Sequence, residues 1–530
     1  MYLADQRITL QARPSAQQTA VFEVVMLGHC GGKADLSQLS NDALAEISSL
    51  GLVEQATNIK AIQAKILPGD LLDDLSEDDK SSAALTTDQI HLESLYNIPV
   101  PILSLADFQV LFPQSTQWEA AYKSQLAGSE YWLPKAVADF FNDSETLPTG
   151  AKKLWLIRVN EADGQHGFLP EESCDLTEIG RLSGLHLALL PPGAGLITMP
   201  DLERLQIPQQ LPDVPRVRLQ NPAPAFLPCS QKQPAEDGHR ERRNSNEMPG
   251  FTEHWSAPWS TKKIVANIIQ PIHKYRPDMQ CLWSLGMEYD NSRGTPGLST
   301  QALDDLKALR NNASYRHGLH RIQFIFPYLR SDEKIYSANG LLSGLIASQS
   351  VQLGTWRSVA GVALADTGLP YPPIDHRLAA QLRESHGLGL LVRQAGRTCL
   401  DDERLANSYT PKYGQTSGDE SAQRSGELVR FMGFLQRKLL RLGESILFAM
   451  DPLDPRPMLL LEQFFDRLHD QGALRGGLAR EAYRIEQIPT DESVLTYEIQ
   501  IAPAFSIDLI RLSFSHQRGE NTLSLKWEGI

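Results

Sequence analysis

The chain has 530 residues, 42% hydrophobic and 22% charged, which places it among soluble globular proteins with room for two to four filled cores. A formal net charge of −14 argues against nucleic-acid backbones and anionic membranes as partners, and suits a protein that meets other proteins. Cys30, Cys174, Cys229, Cys281 and Cys399 are scattered, odd in number and without a CxxC pair, so neither a zinc site nor a disulfide framework is indicated. The amino terminus lacks a basic-then-apolar signal pattern, and no apolar run approaches the ~20 residues of a membrane span. The expectation is folding in a reducing cytosol, with no direct membrane insertion.

In chain order, the first polar stretch contains one short alternating piece, Arg7 to Leu10. Thr19 to Gly28, TAVFEVVMLG, has the apolar, β-branched character of a buried strand. Residues 35–97 are acidic and predict helices with a solvated loop at LLDDLSEDDKSS. YWLPKAVADFFND predicts a helix that feeds the strand KKLWLIRV. Leu185 to Gly195, LHLALLPPGAG, reads as a buried strand of the parallel type. From about Leu205 to Phe251 the composition shifts to Pro, Gln, Arg and Asn, the mark of a long loop or linker. The β/α rhythm then returns: helix Thr261 to His273, strand CLWSLGM, helix LSTQALDDLKALRN, strand HRIQFIFPYLR and a further helix. Such alternation argues for a doubly wound α/β layer.

The carboxyl-terminal part opens with an amphipathic helix, GELVRFMGFLQRKLLRLGESI. Leu428, Phe431, Met432, Leu435, Leu439, Leu442 and Ile446 form its apolar stripe. Arg430, Arg437 and Arg441 fall on a line almost opposite. The prolines of Asp451-Pro452-Leu453-Asp454-Pro455 end it. A second helix carries Leu461, Phe464, Phe465 and Leu468 and stops at Gly472. VLTYEIQIAP and FSIDLIRLSF predict a strand pair. After SHQRGEN, TLSLKW alternates Leu523, Leu525 and Trp527 with Thr522, Ser524 and Lys526, and favours a local hairpin of 522–527 on 507–514 across the GEN turn.

Catalytic and cofactor patterns are weak throughout. There is no G-x-S-x-G, and the nearest strings, GLLSG and RLSGL, do not make one. His186 reads as a packed histidine within a strand. His317 and His320 form an HxxH in a loop without a third ligand nearby, which favours a solvated turn over a metal. GHCGGK, Gly28 to Lys33, lacks the G-K-[ST] ending of a phosphate loop and reads as a turn. GLGLLV, Gly387 to Val392, enters a strand instead of leaving one, so a glycine turn is favoured over a dinucleotide site. Asp401, Asp402 and Glu403 read as a solvated loop. No catalytic residue, cofactor or metal is expected.

The order helix, LFAMDPLDP, helix, DQGALRGG, AYRIE, IQIAP, DLIRLSF resembles the carboxyl-terminal domain of contractile tail sheath proteins. Further matches are Ser104, Asp107, Phe108 and Phe112 to a segment SxxDFxxxFG, and Phe140-Phe141 with Arg158-Val159 to a helix ending in two aromatics and the strand after it. The densest match is Phe326, Pro327, Tyr328 and Leu329 with Gly340, Gly344, Ala347, Gly354, Trp356, Ala360 and Gly361. HGLGLLVRQAGRTCLDDERLANSY resembles the strand pair leading into the carboxyl-terminal helix. The matches cover roughly residues 98–200 and 258–514. Ser337-Ala338 replaces the family's proline pair, Ser350 its aspartate, and the usual opening of its amino-terminal arm is missing.

The resemblance implies an α/β multi-domain chain: a central doubly wound α/β domain plus an α+β carboxyl-terminal domain, with extended terminal arms. The expected division is arm and first strand 1–34, acidic helical insertion 35–97, first sheath domain 98–205, Pro-rich linker 206–257, central α/β domain 258–365 and carboxyl-terminal domain 366–530. It also implies a non-enzymatic subunit that polymerises into a contractile sleeve around an inner tube, its partners being itself, the tube, the baseplate and tail-terminator proteins. Assembly would take place in the cytoplasm, the product being a phage tail or tail-like particle. In that setting Arg430, Arg437 and Arg441 are candidate tube contacts. Ile8 and Leu10, with Leu523, Leu525 and Trp527, are candidate strands between subunits. A specialised sheath-like subunit, terminal or baseplate-proximal, is one alternative. An α/β enzyme with 206–257 as a lid is another.

Overall fold

The computed structural model describes residues 21–65, 94–142, 147, 148, 150–171, 175–209, 258–289, 295–331, 334–365, 368–406, 425–447, 456–488, 494–504, 510–517 and 520–526. The expected arm, with Ile8 and Leu10, lies outside them, as do Trp527, the loop LLDDLSEDDKSS and nearly all of the expected linker.

An eight-stranded sheet forms the main layer. Its strands are β1 (Phe22–Gly28), β2 (Pro99–Ile102), β3 (Lys152–Arg158), β4 (Ala194–Thr198), β5 (Gln280–Ser284), β6 (Ile322–Phe326), β7 (Gly389–Gln394) and β8 (Arg397–Leu400). The order across the sheet is β8-β7-β6-β5-β4-β1-β3-β2. Strands β7 to β3 in that order are mutually parallel, and an antiparallel strand closes each edge. The near-continuous apolar runs FEVVML, LIT and IQFIF suit strands covered on both faces. Val24, Leu196, Leu282 and Phe324 are fully buried. Strand order reverses at β1: the chain passes from β1 to β3 on one side, then to β4 on the other, as in a doubly wound sheet.

One layer therefore takes strands from the 1–34, 98–205, 258–365 and 366–530 segments, so the boundaries expected at 205, 258 and 365 fall inside a single sheet. The composition break at the linker is an interruption in sequence and not in the layer. A second difference concerns LHLALLPPGAG. Leu185–Ala188 is a helical turn entered through Gly184 at φ 50°, and the strand begins only at Ala194. A short apolar run does not by itself separate helix from strand, and Pro191-Pro192 postpones the extended segment. His186 is packed as expected, at 6% exposure, but on that turn.

Helices α1 (Asn41–Ser49) and α2 (Val53–Lys65) lie in the 35–97 segment; Leu44, Ile47 and Ile59 join the main core. Ser40 caps α1 by accepting from the Ala43 N–H. Helix α3 (Leu133–Phe141) packs on α6 (Asn339–Gln352), while α4 (Thr261–Tyr275) packs on α5 (Thr300–Asn311), and α7 (His376–His386) leads into β7. A Cβ on Gly340 would stand 2.7 Å from the Ala136 Cα, and one on Gly344 2.6 Å from the Phe140 carbonyl oxygen. Those two glycines set how closely α6 approaches α3.

A separate core holds the carboxyl-terminal part. Helix α8 (Gly426–Leu447) and helix α9 (Arg456–Asp470) pack with a four-stranded antiparallel meander: β9 (Tyr483–Ile488), β10 (Val494–Ile501), β11 (Ile510–Gln517) and β12 (Glu520–Lys526). The apolar stripe of α8 lies where its periodicity predicts, with Leu428, Phe431, Met432, Leu435 and Leu439 buried against Leu461, Phe465 and Ile499. Gly472 ends the α9 region at φ 74°, the left-handed conformation a Cβ disfavours.

Candidate functional site

In doubly wound sheets, ligands bind beyond the carboxyl ends of the strands where the order reverses. Here that place is filled by the chain. The helical turn Pro200–Arg204 follows β4, and Asp201, Glu203 and Arg204 are fully buried there. Asp201 Oδ2 accepts from the His29 N–H at 2.8 Å and the Leu133 N–H at 3.0 Å, while Oδ1 accepts from the Trp132 N–H at 2.8 Å. The amino end of α3 has no side-chain cap of its own, so Asp201 supplies from a distance the carboxylate that its free N–H groups attract. Burial pushes the Asp201 carboxyl above its ordinary range, opposed by His29, Arg204 and the backbone donors. Arg204 donates to the carbonyls of Tyr122 and Gly128, tying in the hairpin that follows residue 118.

Glu203 occupies the next position. Its Oε1 accepts from the Ser284 N–H at 2.8 Å and from Asn339 Nδ2 at 2.5 Å. Ser284 Oγ and Ser337 Oγ lie 3.2 Å apart beside it. Burial pushes the Glu203 carboxyl up to about 7, the hydrogen bonds pulling it the other way. The serines, the asparagine and the glutamate are all at most 5% exposed, so this group fastens β5 to the start of α6 and presents no reachable nucleophile.

Beside this plug, at the carboxyl ends of β1 and β3, opens a cleft of about 1050 Å³. GHCGGK forms one wall. Arg158 donates through Nε to the Cys30 carbonyl at 2.9 Å, through Nη1 to the Ser94 carbonyl at 2.8 Å, and through Nη2 to the Gly32 carbonyl, so the loop carbonyls converge on a buried guanidinium. Cys30 is inert: burial pushes its thiol up to about 12. On the facing wall Glu161 accepts from the N–H groups of Ala121 and Tyr122 and from the Tyr131 hydroxyl.

The line Arg430, Arg437, Arg441 is not the exposed face that the helical wheel suggests. Arg430 is 4% exposed and forms a two-pronged ion pair with Glu403, at 2.6 Å and 3.0 Å. Arg437 Nη1 donates to the Asp278 carbonyl at 2.8 Å and to its carboxylate at 3.1 Å. Between them, a Cβ on Gly433 would stand 2.1 Å from the Asp278 carbonyl oxygen. The reason is that α8 is covered on two sides, its apolar stripe on the second core and its arginine line on β4, β5 and the turn at 319–321. Arg441 alone of the three is exposed, next to exposed Lys438. Glu403 is likewise no part of a solvated loop, and also accepts from the Val359 N–H at 3.0 Å. Asp401 accepts from the Leu390 N–H and pairs with Arg383. His320 is buried at 5%, unlike the solvated turn expected, while His317 is exposed. Gly387 is the left-handed cap of α7 before β7, as a glycine turn requires.

Leu523 and Leu525 sit on β12, paired with Phe514 and Leu512 of β11. That is the local hairpin, although Glu520 and Asn521 of the expected GEN turn are already in the strand. Among the described residues, β9 and β12 are the outer strands of the meander.

No family model matches the chain, and no curated protein matches it. Among solved structures it is similar to the anti-feeding prophage baseplate in its contracted state, at 14% identity over 82% of this chain and 86% of that one, with a TM-score of 0.47. It is also similar to the helical sheath of the anti-feeding prophage in its contracted state, at 11% identity over 97% and 91%, TM-score 0.44. A third is the contracted sheath complex of the extracellular contractile injection system PVC, at 12% identity over 78% and 86%, TM-score 0.45.

Proposed function

We propose that the chain is a sheath subunit of a contractile injection system, many copies of which form a helical sleeve around an inner tube and shorten by rearranging their contacts. The observation that carries this reading is that separate sheath-like motifs meet in one structural unit. Gly340 and Gly344, from the densest match, rest on the backbone of the helix that bears Phe140-Phe141, whose following strand ends at Arg158. A mechanical role also agrees with a switch point filled by Asp201, since the usual ligand position is spent on packing. Energy would be held in two alternative sets of interfaces, with no nucleotide consumed.

On this reading the tube-facing charge of α8 is Lys438 and Arg441, because Arg430 and Arg437 hold the helix to its own sheet. The outer strands β9 and β12 offer main-chain edges to a neighbour's terminal arm. Assembly would take place in the cytoplasm, with tube, baseplate and tail-terminator proteins as partners. Negative-stain microscopy of the purified chain, expressed with its tube partner, tests the proposal. Hollow tubes or rings are expected, and a monodisperse monomer at high concentration with tube present would overturn it.

A further inference from the structure

Strands β7 and β8 meet in a hairpin tip that carries two free cations. Arg393 on β7 and Arg397 on β8 are exposed, and neither makes an ion pair among the described residues. The tip is tight. Gln394 pairs with Arg397, which leaves a two-residue turn whose Ala395 and Gly396 take φ of 50° and 83°. Both arginines line a groove of about 490 Å³ together with Leu369, which is 47% exposed. No carboxylate lines that groove among the described residues. Even with Asp366 of the same loop, which lies outside them, the balance is positive.

Helix α9 carries the opposite pattern. Glu462, Asp466 and Asp470 stand at i, i+4 and i+8, so they form one line with steps of about 6 Å. Leu459, three residues before the first of them, is 51% exposed on the same face. None of the three carboxylates pairs with a lysine or arginine among the described residues, and the Asp470 side chain is 82% exposed. Like charges at this spacing repel, and Asp470 stands at the negative end of the helix. The line is unfavourable until a cation meets it.

The two patterns fit each other. Neighbouring strands lie about 5 Å apart, so the hairpin can offer one guanidinium to each of two successive carboxylates, with Leu369 brought against Leu459. Copies of a chain with net charge −14 repel at a distance, so a lasting contact between them needs local patches of opposite sign. Because the two patches differ, the contact is head-to-tail and repeats from copy to copy.

We propose that the arginine hairpin of one copy docks on the acidic line of α9 in the next. This deepens the sheath reading by naming a repeating contact, and rests on it only for the tube into which the contacts add up. Two variants test it by sedimentation velocity: Arg393→Glu with Arg397→Glu, and Asp466→Lys with Asp470→Lys. All four positions are exposed, and the Tyr483 hydroxyl keeps the Glu462 carbonyl as an acceptor, so both variants should melt like the parent. Each variant alone should lose the self-association of the parent chain. An equal mixture should regain it, since hairpin and helix can again join opposite charges, and added salt should weaken it. Self-association of either variant alone at the parent's level, or a mixture that stays monomeric, overturns the proposal. The sheath reading is judged separately, by whether the parent forms tubes under negative stain. Tubes from the parent and from each variant alone would sink this contact and leave the sleeve standing.

Discussion

Arg430 and Glu403 form a closed ion pair inside the protein, Nη1 to Oε1 at 2.6 Å and Nη2 to Oε2 at 3.0 Å, with side chains 2% and 0% exposed. The pair joins the first turns of α8 to the segment after β8 and so links the second core to the main sheet. Arg430→Gln would leave the Glu403 carboxylate buried without its partner, a loss of about 3–5 kcal/mol. The denaturation midpoint of the purified chain should fall accordingly. Replacing both, Arg430→Met with Glu403→Gln, should recover much of the loss. A single variant as stable as the parent would show that the pair does not hold this joint.

The exposed end of the same helix should behave differently. Lys438→Glu and Arg441→Glu should each change stability by no more than ~0.5 kcal/mol. If the sheath reading holds, co-sedimentation with tube should drop, because each contact turns repulsive and the effect should shrink with added salt. Unchanged co-sedimentation returns these residues to an ordinary solvated face.

Gly344→Ala puts a methyl group where 2.6 Å separates it from a backbone oxygen of α3, and backbone cannot swing aside as a side chain can. Overpacking of this kind costs about 1–3 kcal/mol. Urea unfolding should report it. A neutral result would mean that α3 and α6 are free to separate.

Stability should also depend on Glu203 in a defined window. Its folded carboxyl is pushed up to about 7 from an ordinary value of 4.5, so the folded chain holds the proton more tightly than the unfolded one. Its contribution is therefore complete below pH 4.5 and is lost as pH rises through about 7, a change on the order of 3 kcal/mol. Asp201 is raised as well and acts in the same direction. Glu203→Gln keeps an acceptor for the Ser284 N–H and should flatten the slope between those limits. A melting profile with the same slope in the variant would assign the dependence to another group.

Removing residues 518–530 deletes β12, whose seven register pairs with β11 are local. The melting temperature of the second core should fall. Truncation of residues 1–12 should leave melting unchanged and, on the sheath reading, abolish polymerisation. Equal melting for both truncations would contradict the hairpin.

How much of this was legible in the sequence follows from what each pattern encodes. The spacing of Leu428, Phe431, Met432, Leu435 and Leu439 gives both the helix and its buried stripe, because a 3.6-residue period reports one apolar face directly. The same period says nothing of a face buried through ion pairs, so it cannot distinguish Arg430 and Arg437 from an exposed line. Their partners Glu403 and Asp278 lie 27 and 159 residues away. The continuity of the main sheet was hidden for a related reason: β4 and β5 are neighbours separated in sequence by the long 206–257 segment. At the cleft, Gly31 and Gly32 read as a turn, which Gly32 at φ 76° makes, while the need for glycine at position 31 comes from the close approach of Trp118, a contact the sequence does not reveal.

Asp201 has a further chemical consequence. A carboxylate held against three N–H donors at the end of a helix is equivalent to a bound anion that never dissociates, since its tether keeps the local concentration saturating. Asp201→Ala removes from that position a fragment the size of formate. The weakened chain should then become one whose melting temperature climbs with added formate, because an anion bound only by the folded state stabilises it by mass action. Chloride at the same ionic strength should not substitute for it, lacking two oxygens to divide among the three donors.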